Sequence, residues 1–576
     1  MQLKQQSIIG TGAFDDVGRP VGVYWNADRT LLAVAGAFAG EQWHGRDVRR
    51  WRRLHWRVSL YEAATLRRIA VLDRLRSPIN DITFHPHQPL LAIGTGSYDG
   101  GYLYNGELVL WDWQAGISAF LLDESREVVT CRFDATDDAL DLTLRPPVDE
   151  AFYDAELGMN LDYEEQALRP GPRQSMFIDL RIPAEGWRPL REKSVAVDQL
   201  PQTFERTTAP VTRYVRQERE QVQEALAEIA AVAGQHYTAR WDLWDLAWTP
   251  DDRILATRNA TAVECWTLDG ELIAHLPASM DGVQLLLSPG GDVAYVNLLG
   301  YRRPPEARNL SGRFTRVERI DLHSWERNII TALDNPAVLS ISAAGAVLAR
   351  DAEREGHRRG EPTRDRIITP DLSLSPLLDL GGFSAPNHYL RIDGAPHLYF
   401  LQGTPPRTDW SRRHQTRASM NKWVCRLSPQ TQQTERLFPL EWDQARGADL
   451  LGGCGTYLHD RQGEALILAA RIPHPQVSRP VEEVVVRRRL PDGFALWTAI
   501  FASQVTALLY VPERQDIVVA LTDGTLAVLD ALTGIMLDQQ PLLVAGVASV
   551  ALSLAGRGDQ VAAGLVDGRI ALYSLE

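Results

Sequence analysis

Short apolar strands separated by polar turns recur along this chain, and no other feature restricts its fold as much. Residues 79–113 contain INDITFHPHQPLLAIGTG and close on GELVLWDW. Residues 243–268 read LWDLAWTPDDRILATRNATAVECWTL, residues 505–530 VTALLYVPERQDIVVALTDGTLAVLD, and residues 548–575 ASVALSLAGRGDQVAAGLVDGRIALYSL. Each has an apolar strand, a turn built on Pro, Gly or Asp, a strand of small residues, a second turn and a third strand. Apolar positions alternate near period two and Gly/Asp pairs mark the turns, which is strand patterning. A repeat of this kind predicts an array of small sheets that bury their faces against one another.

Weaker units fill the gaps. VGVYWNADRTLLAVAG (21–36) followed by WRVSLYEAATLRRIAVL (56–72) makes one, and VVTCRFDATDDALDLTL (128–144) starts another. Further candidates begin at Val283, Val338, Tyr389 and Ala448. The count is about ten; at roughly 40–45 residues each they use about 420 residues and leave about 150 for insertions.

These segments resemble the WD-repeat β-propeller family. The likeness rests on Phe84–Gly96, on Trp111–Asp112 at the repeat's namesake position, on LTDGTLAVLDALTG (Leu521–Gly534) and on LVDGRIALYSLE (Leu565–Glu576). Tyr61, Trp266, Leu529 and Tyr573 fall in the tryptophan column, and the Gly-His dipeptide that usually opens a repeat is absent. The likeness covers most of the chain, with four or five clear units. It implies an all-β fold: a single large β-propeller of four-stranded blades, about 8–10 units, spanning residues 1–576. Two smaller rings are the alternative.

The last unit stops after three strands, and an extra extended segment, QLKQQSI (2–8), precedes the first. Residues 1–10 are therefore expected to supply the closing outer strand, which removes an exposed sheet edge. Two insertions stand out. Residues 145–173 hold an acidic loop with Asp149, Glu150, Asp154, Glu156, Asp162, Glu164 and Glu165. Residues 209–235 read as one helix, with Pro210 in the first turn, Gly234 as the stop, and a stripe of Val215, Val222, Leu226, Ile229 and Ala233. Packing on the protein's own side is its first reading, a partner-facing helix the second.

Turns between first and second strands are short throughout, whereas several second-to-third connections are long. One contains GRDVRRWRRLHWR (45–57); others contain YRRPPEARNLSGR (301–313), EREGHRRGEPTRDR (353–366) and RTDWSRRHQTR (407–417). Equivalent loops of a propeller emerge on one face, and loops on a rigid scaffold are where binding concentrates. The candidate partner-binding residues are Arg49, Arg50, Trp51, Arg52, Arg53, Arg302, Arg303, Arg358, Arg359, Trp410, Arg412 and Arg413. Arginine and tryptophan suit interface hot spots.

The formal charge of −14 opposes general attraction to nucleic acid or anionic membranes. Positive charge is nearly all arginine, with Lys4, Lys193 and Lys422 the only lysines. The expected function is a non-catalytic scaffold subunit that binds a protein with an acidic surface. Nucleic-acid binding through the same loops is the alternative, and an enzyme with a channel-mouth site ranks third. No catalytic residue, metal or cofactor is assigned. GTGSYDGG (94–101) precedes a strand, not the helix a phosphate loop needs. DATDD (134–138) matches a hairpin turn, and His85 and His87 have no third ligand nearby. Cys131, Cys265, Cys425 and Cys454 lie far apart, which suits a reducing compartment. With no apolar leader and no run of eighteen apolar residues, a cytoplasmic protein of bacterial style is expected.

Overall fold

The computed structural model describes residues 2–38, 55–98, 104–122, 127–145, 153–154, 159–160, 176–190, 205–210, 218–301, 313–334, 336–351, 364–381, 390–403, 422–443, 448–449, 454–472 and 482–576. Among these, the chain is nearly all β. Ten antiparallel sheets of three or four strands account for most of it, an arrangement that fits a β-propeller. The chain divides into two compact units: Met1–Thr11 with Arg240–Glu576, and Gly12–Gly40 with Arg49–Ala239. We number the sheets in chain order.

The second unit has three sheets. Sheet 1 is Arg19–Trp25, Leu31–Phe38, His55–Glu62 and Arg68–Leu75. Sheet 2 is Ile79–Phe84, Leu90–Thr95, Leu108–Asp112 and Ile117–Leu122, and sheet 3 is Val128–Phe133, Leu140–Leu144, Met176–Ile182 and Glu205–Pro210. The second strands of sheets 1 and 2 are almost wholly apolar because both their faces are covered. In sheet 2, Leu91 and Ile93 enter a core with Ala33, Ala35, Val58 and Leu60 of sheet 1. The alternate residues Leu90 and Ala92 enter another with Cys131, Leu140, Leu142 and Leu180 of sheet 3. Complete burial of one such side chain contributes about 1.5–3 kcal/mol.

The ends of this stack differ. Helix α1 (Ala184–Leu190) adds Trp187 to the second core. Helix α2 (Glu218–Ala233) covers the free face of sheet 1, setting Ile229 and Ala233 against Phe14, Val17, Leu32, Val34 and Tyr61. The helix stops where Gly234 takes φ +54°. It begins later than its sequence suggests. Pro210 ends the outer strand of sheet 3, where a residue without an N–H is tolerated; residues 211–217, Val215 among them, lie outside the described residues. Asp16 pins the helix-side segment to sheet 1. Its carboxylate accepts hydrogen bonds from the Tyr61 hydroxyl, Ser59 Oγ (2.8 Å) and Arg68 (2.9 Å). Burial works to raise that carboxyl, but Arg68 and Tyr61 outweigh it and hold it below the usual range. On the face of sheet 3 turned away from that core, Asp141, Thr143, Asp179 and Arg181 alternate with the core residues, and Arg181 bridges Asp134, Asp137 and Asp141.

The first unit has seven sheets. Sheet 4 is Asp245–Trp248, Arg253–Arg258, Thr261–Thr267 and Leu272–Pro277; sheet 5 is Asp281–Leu287, Val293–Tyr301, Arg313–Asp321 and Arg327–Leu333. Sheet 6 is Ala337–Ile341, Val347–Asp351 and Arg366–Ile368, and sheet 7 is Leu398–Gly403, Lys422–Leu427 and Thr434–Pro439. Sheet 8 is Gly455–Asp460, Gly463–Ile472, Glu482–Arg489 and Ala495–Phe501; sheet 9 is Val505–Val511, Asp516–Leu521, Thr525–Asp530 and Met536–Pro541. Sheet 10 is Ala551–Arg557, Gln560–Leu565 and Ile570–Leu575, with Leu3–Ile9 as its fourth strand.

Each adjacent pair of sheets from 4 to 10 shares an apolar core. A further core joins sheet 10 to sheet 4, with Ile9, Ala555, Ala562 and Ile570 against Leu246, Ile254, Ala256 and Trp266. The N-terminal strand pairs antiparallel with Ile570–Leu575, from Leu3 opposite Leu575 to Ile9 opposite Ile570. Sheet 9 grips it as well: the Leu3 N–H donates to Asp538 Oδ2 (2.8 Å), and Gln540 Nε2 donates to the Leu3 carbonyl (2.7 Å).

The tryptophan column has a common geometry. Tyr61, Trp111, Trp266, Leu529 and Tyr573 are all buried on third strands. Each lies opposite the second residue of its sheet's second strand: Leu32, Leu91, Ile254, Ile517 and Val561.

Candidate functional site

A cavity of about 360 Å3 lies within the seven-sheet unit. Every sheet contributes its innermost segment to the lining: Asp245 from sheet 4, Gln284 from sheet 5, Val338 from sheet 6, Arg391 ahead of sheet 7, Thr456 from sheet 8, Leu508 from sheet 9 and Ser553 from sheet 10. First strands end up here because they are the most buried edge of each sheet, so polar residues on them need partners.

They find them in a recurring way. An Asp or Gln near the start of a first strand accepts a backbone N–H from the first strand of the next sheet. Asp245 Oδ2 accepts from Leu285 (2.7 Å), and Gln284 Oε1 from Leu339 (2.8 Å). In the three-sheet unit, Asp81 Oδ2 accepts from Cys131 (2.9 Å). Asp393 runs the other way along the chain, its Oδ1 accepting from Ile341 (3.0 Å). These side chains hold neighbouring sheets in register.

The charged groups of the cavity are consumed in the same work. Arg391 donates to Asp245, to Asp393 Oδ2 (2.7 Å) and to the Leu285 carbonyl (3.0 Å). Burial works against the Arg391 charge, yet the Asp245 and Asp393 carboxylates outweigh it and push the guanidinium up, so it stays a cation. The indole N–H of Trp248 is buried with no hydrogen-bond partner among the described residues. Among the described residues, no group of three or more His, Cys, Asp or Glu is placed to hold a metal. His85 is a structural residue of the other unit: its Nδ1 accepts from the N–H groups of His87 (3.0 Å) and Gln88 (3.1 Å), and its Nε2 meets Asp138.

Sequence reasoning passed over Asp245, Gln284, Arg391 and Asp393. A signal was available in the polar residue that recurs just inside the first strand, in INDITF, LWDLAW and DGVQLLL.

Arg49, Arg50, Trp51, Arg52, Arg53, Arg302, Arg303, Arg358, Arg359, Trp410, Arg412 and Arg413 all lie outside the described residues. The strand ends around them are described. Phe38 and His55 bound the first cluster, Tyr301 and Arg313 the second, Asp351 and Arg366 the third, and Gly403 and Lys422 the fourth. In sheets 1, 5 and 6 the connection joins second to third strand; in sheet 7 the segment around Arg391 takes the innermost place, so Leu398–Gly403 and Lys422–Leu427 correspond to the same pair. The strand ends that flank the last three clusters belong to the seven-sheet unit, whereas Phe38 and His55 belong to the three-sheet unit. The acidic insertion contains a small hairpin, Tyr153–Asp154 with Met159–Asn160, and its remaining acidic residues lie outside the described residues. No helix among the described residues is long and apolar enough to cross a membrane.

No protein-family model matches the chain, and no curated protein matches it. Similar solved structures include a virginiamycin B lyase from Staphylococcus aureus, 12% identical, which covers 58% of this chain and 98% of its own with a TM-score of 0.38. A chain of the mitotic checkpoint complex is 13% identical and covers 58% of this chain and 89% of its own, with a TM-score of 0.39.

Proposed function

We propose that the chain is a protein-interaction scaffold built on a ring of sheets 4–10, closed through the N-terminal strand. Support for the ring comes from seven sheets sharing seven cores and from the cavity that all seven line. Seven blades is fewer than a single ring of every repeat, because a repeat count says how many sheets form and not which of them adjoin. The working surface is the face where second strands turn into third strands.

The observation that carries this reading is the distribution of long connections. Turns between first and second strands are short in every four-stranded sheet, as at 249–252, 288–292, 512–515 and 558–559. Second-to-third connections are long in sheets 5, 6, 7 and 8, which adjoin one another, and tight in sheets 9, 10 and 4. One arc of one face therefore carries the arginine- and tryptophan-rich loops. Arg302, Arg303, Arg358, Arg359, Trp410, Arg412 and Arg413 bind an acidic protein surface there, and the Arg49–Arg53 loop of the other unit, Trp51 included, has the same composition and the same role. Exposed ion pairs contribute roughly 0–1 kcal/mol each, so several loops act together and the tryptophans supply buried area.

The test is capture of partners from the native host by the parent and by a variant with Glu at positions 302, 303, 358, 359, 412 and 413. The variant is expected to keep its melting temperature and to lose the partner, mainly through slower association. Equal capture by both removes these loops from the binding surface. Recovery of nucleic acid, with affinity falling steeply with salt, replaces the protein partner with phosphate.

A further inference from the structure

We propose that residues 12–239 form a self-terminated module, inserted into the link that closes the seven-sheet ring and folding independently of it. The proposal rests on the ring reading above. Three of the other links from the outer strand of one sheet to the inner strand of the next are brief, 278–280, 334–336 and 502–504, and the longest of the others, 369–397 between sheets 6 and 7, holds no sheet of its own among the described residues. The link from the outer strand of sheet 10, Leu3–Ile9, to the first strand of sheet 4, Asp245–Trp248, instead contains the whole three-sheet unit.

The two ends of this insertion meet at one place in the ring. A Cβ on Gly568 would stand 2.8 Å from Arg240, and a Cβ on Gly10 would stand 3.9 Å from the Gly568 carbonyl oxygen. Gly10 and Arg240 therefore flank the same turn. The three-sheet unit matches this: a Cβ on Gly12 would stand 3.8 Å from the His236 carbonyl oxygen. The chain leaves and re-enters the ring at one point, so the ring can close there as though the insertion were a short loop.

The module is finished at both ends. The apolar face of sheet 1 is taken by α2, and the free face of sheet 3 carries Asp141, Thr143, Asp179 and Arg181. Among the described side chains, neither presents an apolar surface that a further sheet of the ring must complete. Repeat arrays that do not close on themselves are ended by caps in this manner.

Hydrogen exchange read peptide by peptide on the full chain tests this, with calorimetry of the parent beside it. Asp16→Ala removes the shared acceptor of Tyr61, Ser59 and Arg68; exchange is expected to rise at least tenfold across sheet 1 and α2 and to stay within twofold across sheets 4–10. Asp538→Ala loosens Leu3; exchange is expected to rise several-fold in residues 3–9 and 570–575 and to leave sheets 1–3 unchanged. Calorimetry is expected to resolve two transitions, each moved by one variant. A single transition, moved as a whole by either variant, overturns the proposal. If Asp16→Ala unfolds the module altogether, continued protection of sheets 4–10 supports independence and their loss overturns it, with Ser59→Ala as the milder lesion read in the same way. Free exchange of residues 3–9 in the parent, with 551–575 protected, would instead strike the ring reading, leaving independence to be judged on Asp16→Ala.

Discussion

The two units solve one problem in two ways. A sheet with two apolar faces needs a neighbour on each side. In the seven-sheet unit each sheet shares both its faces with others, and the number of cores equals the number of sheets. In the three-sheet unit there are two shared cores and two terminal faces, one covered by α2 and one made polar. The repeat is the same in both: a Tyr or Trp on a third strand faces the second residue of the second strand in sheets 1 and 2 as it does in sheets 4 and 10. Repeat sequence alone therefore does not decide between cycle and stack. What decides is whether the terminal faces stay apolar.

Lesions should spread differently through a cycle and a stack. The largest effect is expected at Arg391. Arg391→Met leaves Asp245 and Asp393 without their cation and should cost about 3–5 kcal/mol, read as a drop in the denaturation midpoint. Because Arg391 ties the segment before sheet 7 to sheets 4 and 5, its loss should raise exchange throughout sheets 4–10. Confinement to sheet 7 would break the comparison.

Gly36→Ala is the matching lesion in the stack. Its Cβ would stand 1.8 Å from the Val17 carbonyl oxygen, so backbone must move; overpacking of this kind costs about 1–3 kcal/mol. Increased exchange is expected in sheet 1 and α2 and should fade by sheet 3, a gradient that mass-resolved peptides would reveal.

Gln540→Ala removes the donor to the Leu3 carbonyl and should lower stability by about 1 kcal/mol. A urea titration that shows no change would mean that the ladder to Ile570–Leu575 holds the N-terminal strand unaided.

The smallest effect sets the units apart by pH. Burial pushes the His85 imidazole below its ordinary range, outweighing the Asp138 carboxylate. Its contribution is complete above about 6.5, the unperturbed value. Below that the unfolded chain takes up a proton that folded His85 resists, so stability falls with pH. Melts at stepped pH should show the transition of the three-sheet unit declining below 6.5, and His85→Gln should flatten that dependence.

Much of this architecture was legible in the sequence for local reasons. Alternation and Asp-Gly turns expose strands and hairpins within about thirty residues, and the spare segment at 2–8 stands out because the last unit has three strands. The positions of the long connections could be read for the same reason. The adjacency of sheet 10 and sheet 4 could not, since Ile9, Leu246 and Ala555 are brought together only by folding. Asp245 and Gln284 escaped notice because a polar residue in a strand reads as a blemish until its acceptor role on the next sheet is seen. Arg391 meets Asp245 across 146 positions. The start of α2 was misplaced because Pro210 suits both a first helical turn and the end of an edge strand. The arginine clusters were found by composition, and their role stands as a proposal.

The bond between Leu3–Ile9 and Ile570–Leu575 has a consequence for biosynthesis. The N-terminal strand leaves the ribosome long before its partner is made. At about 5–20 residues per second, translation separates them by on the order of a minute. Throughout that time the earliest strand has no mate and sheet 10 does not exist. Residues 12–239 have everything they need to fold while the rest is still being made, so a nascent chain carries a finished body beside an unsealed one. The codons for Ile570–Leu575 seal it.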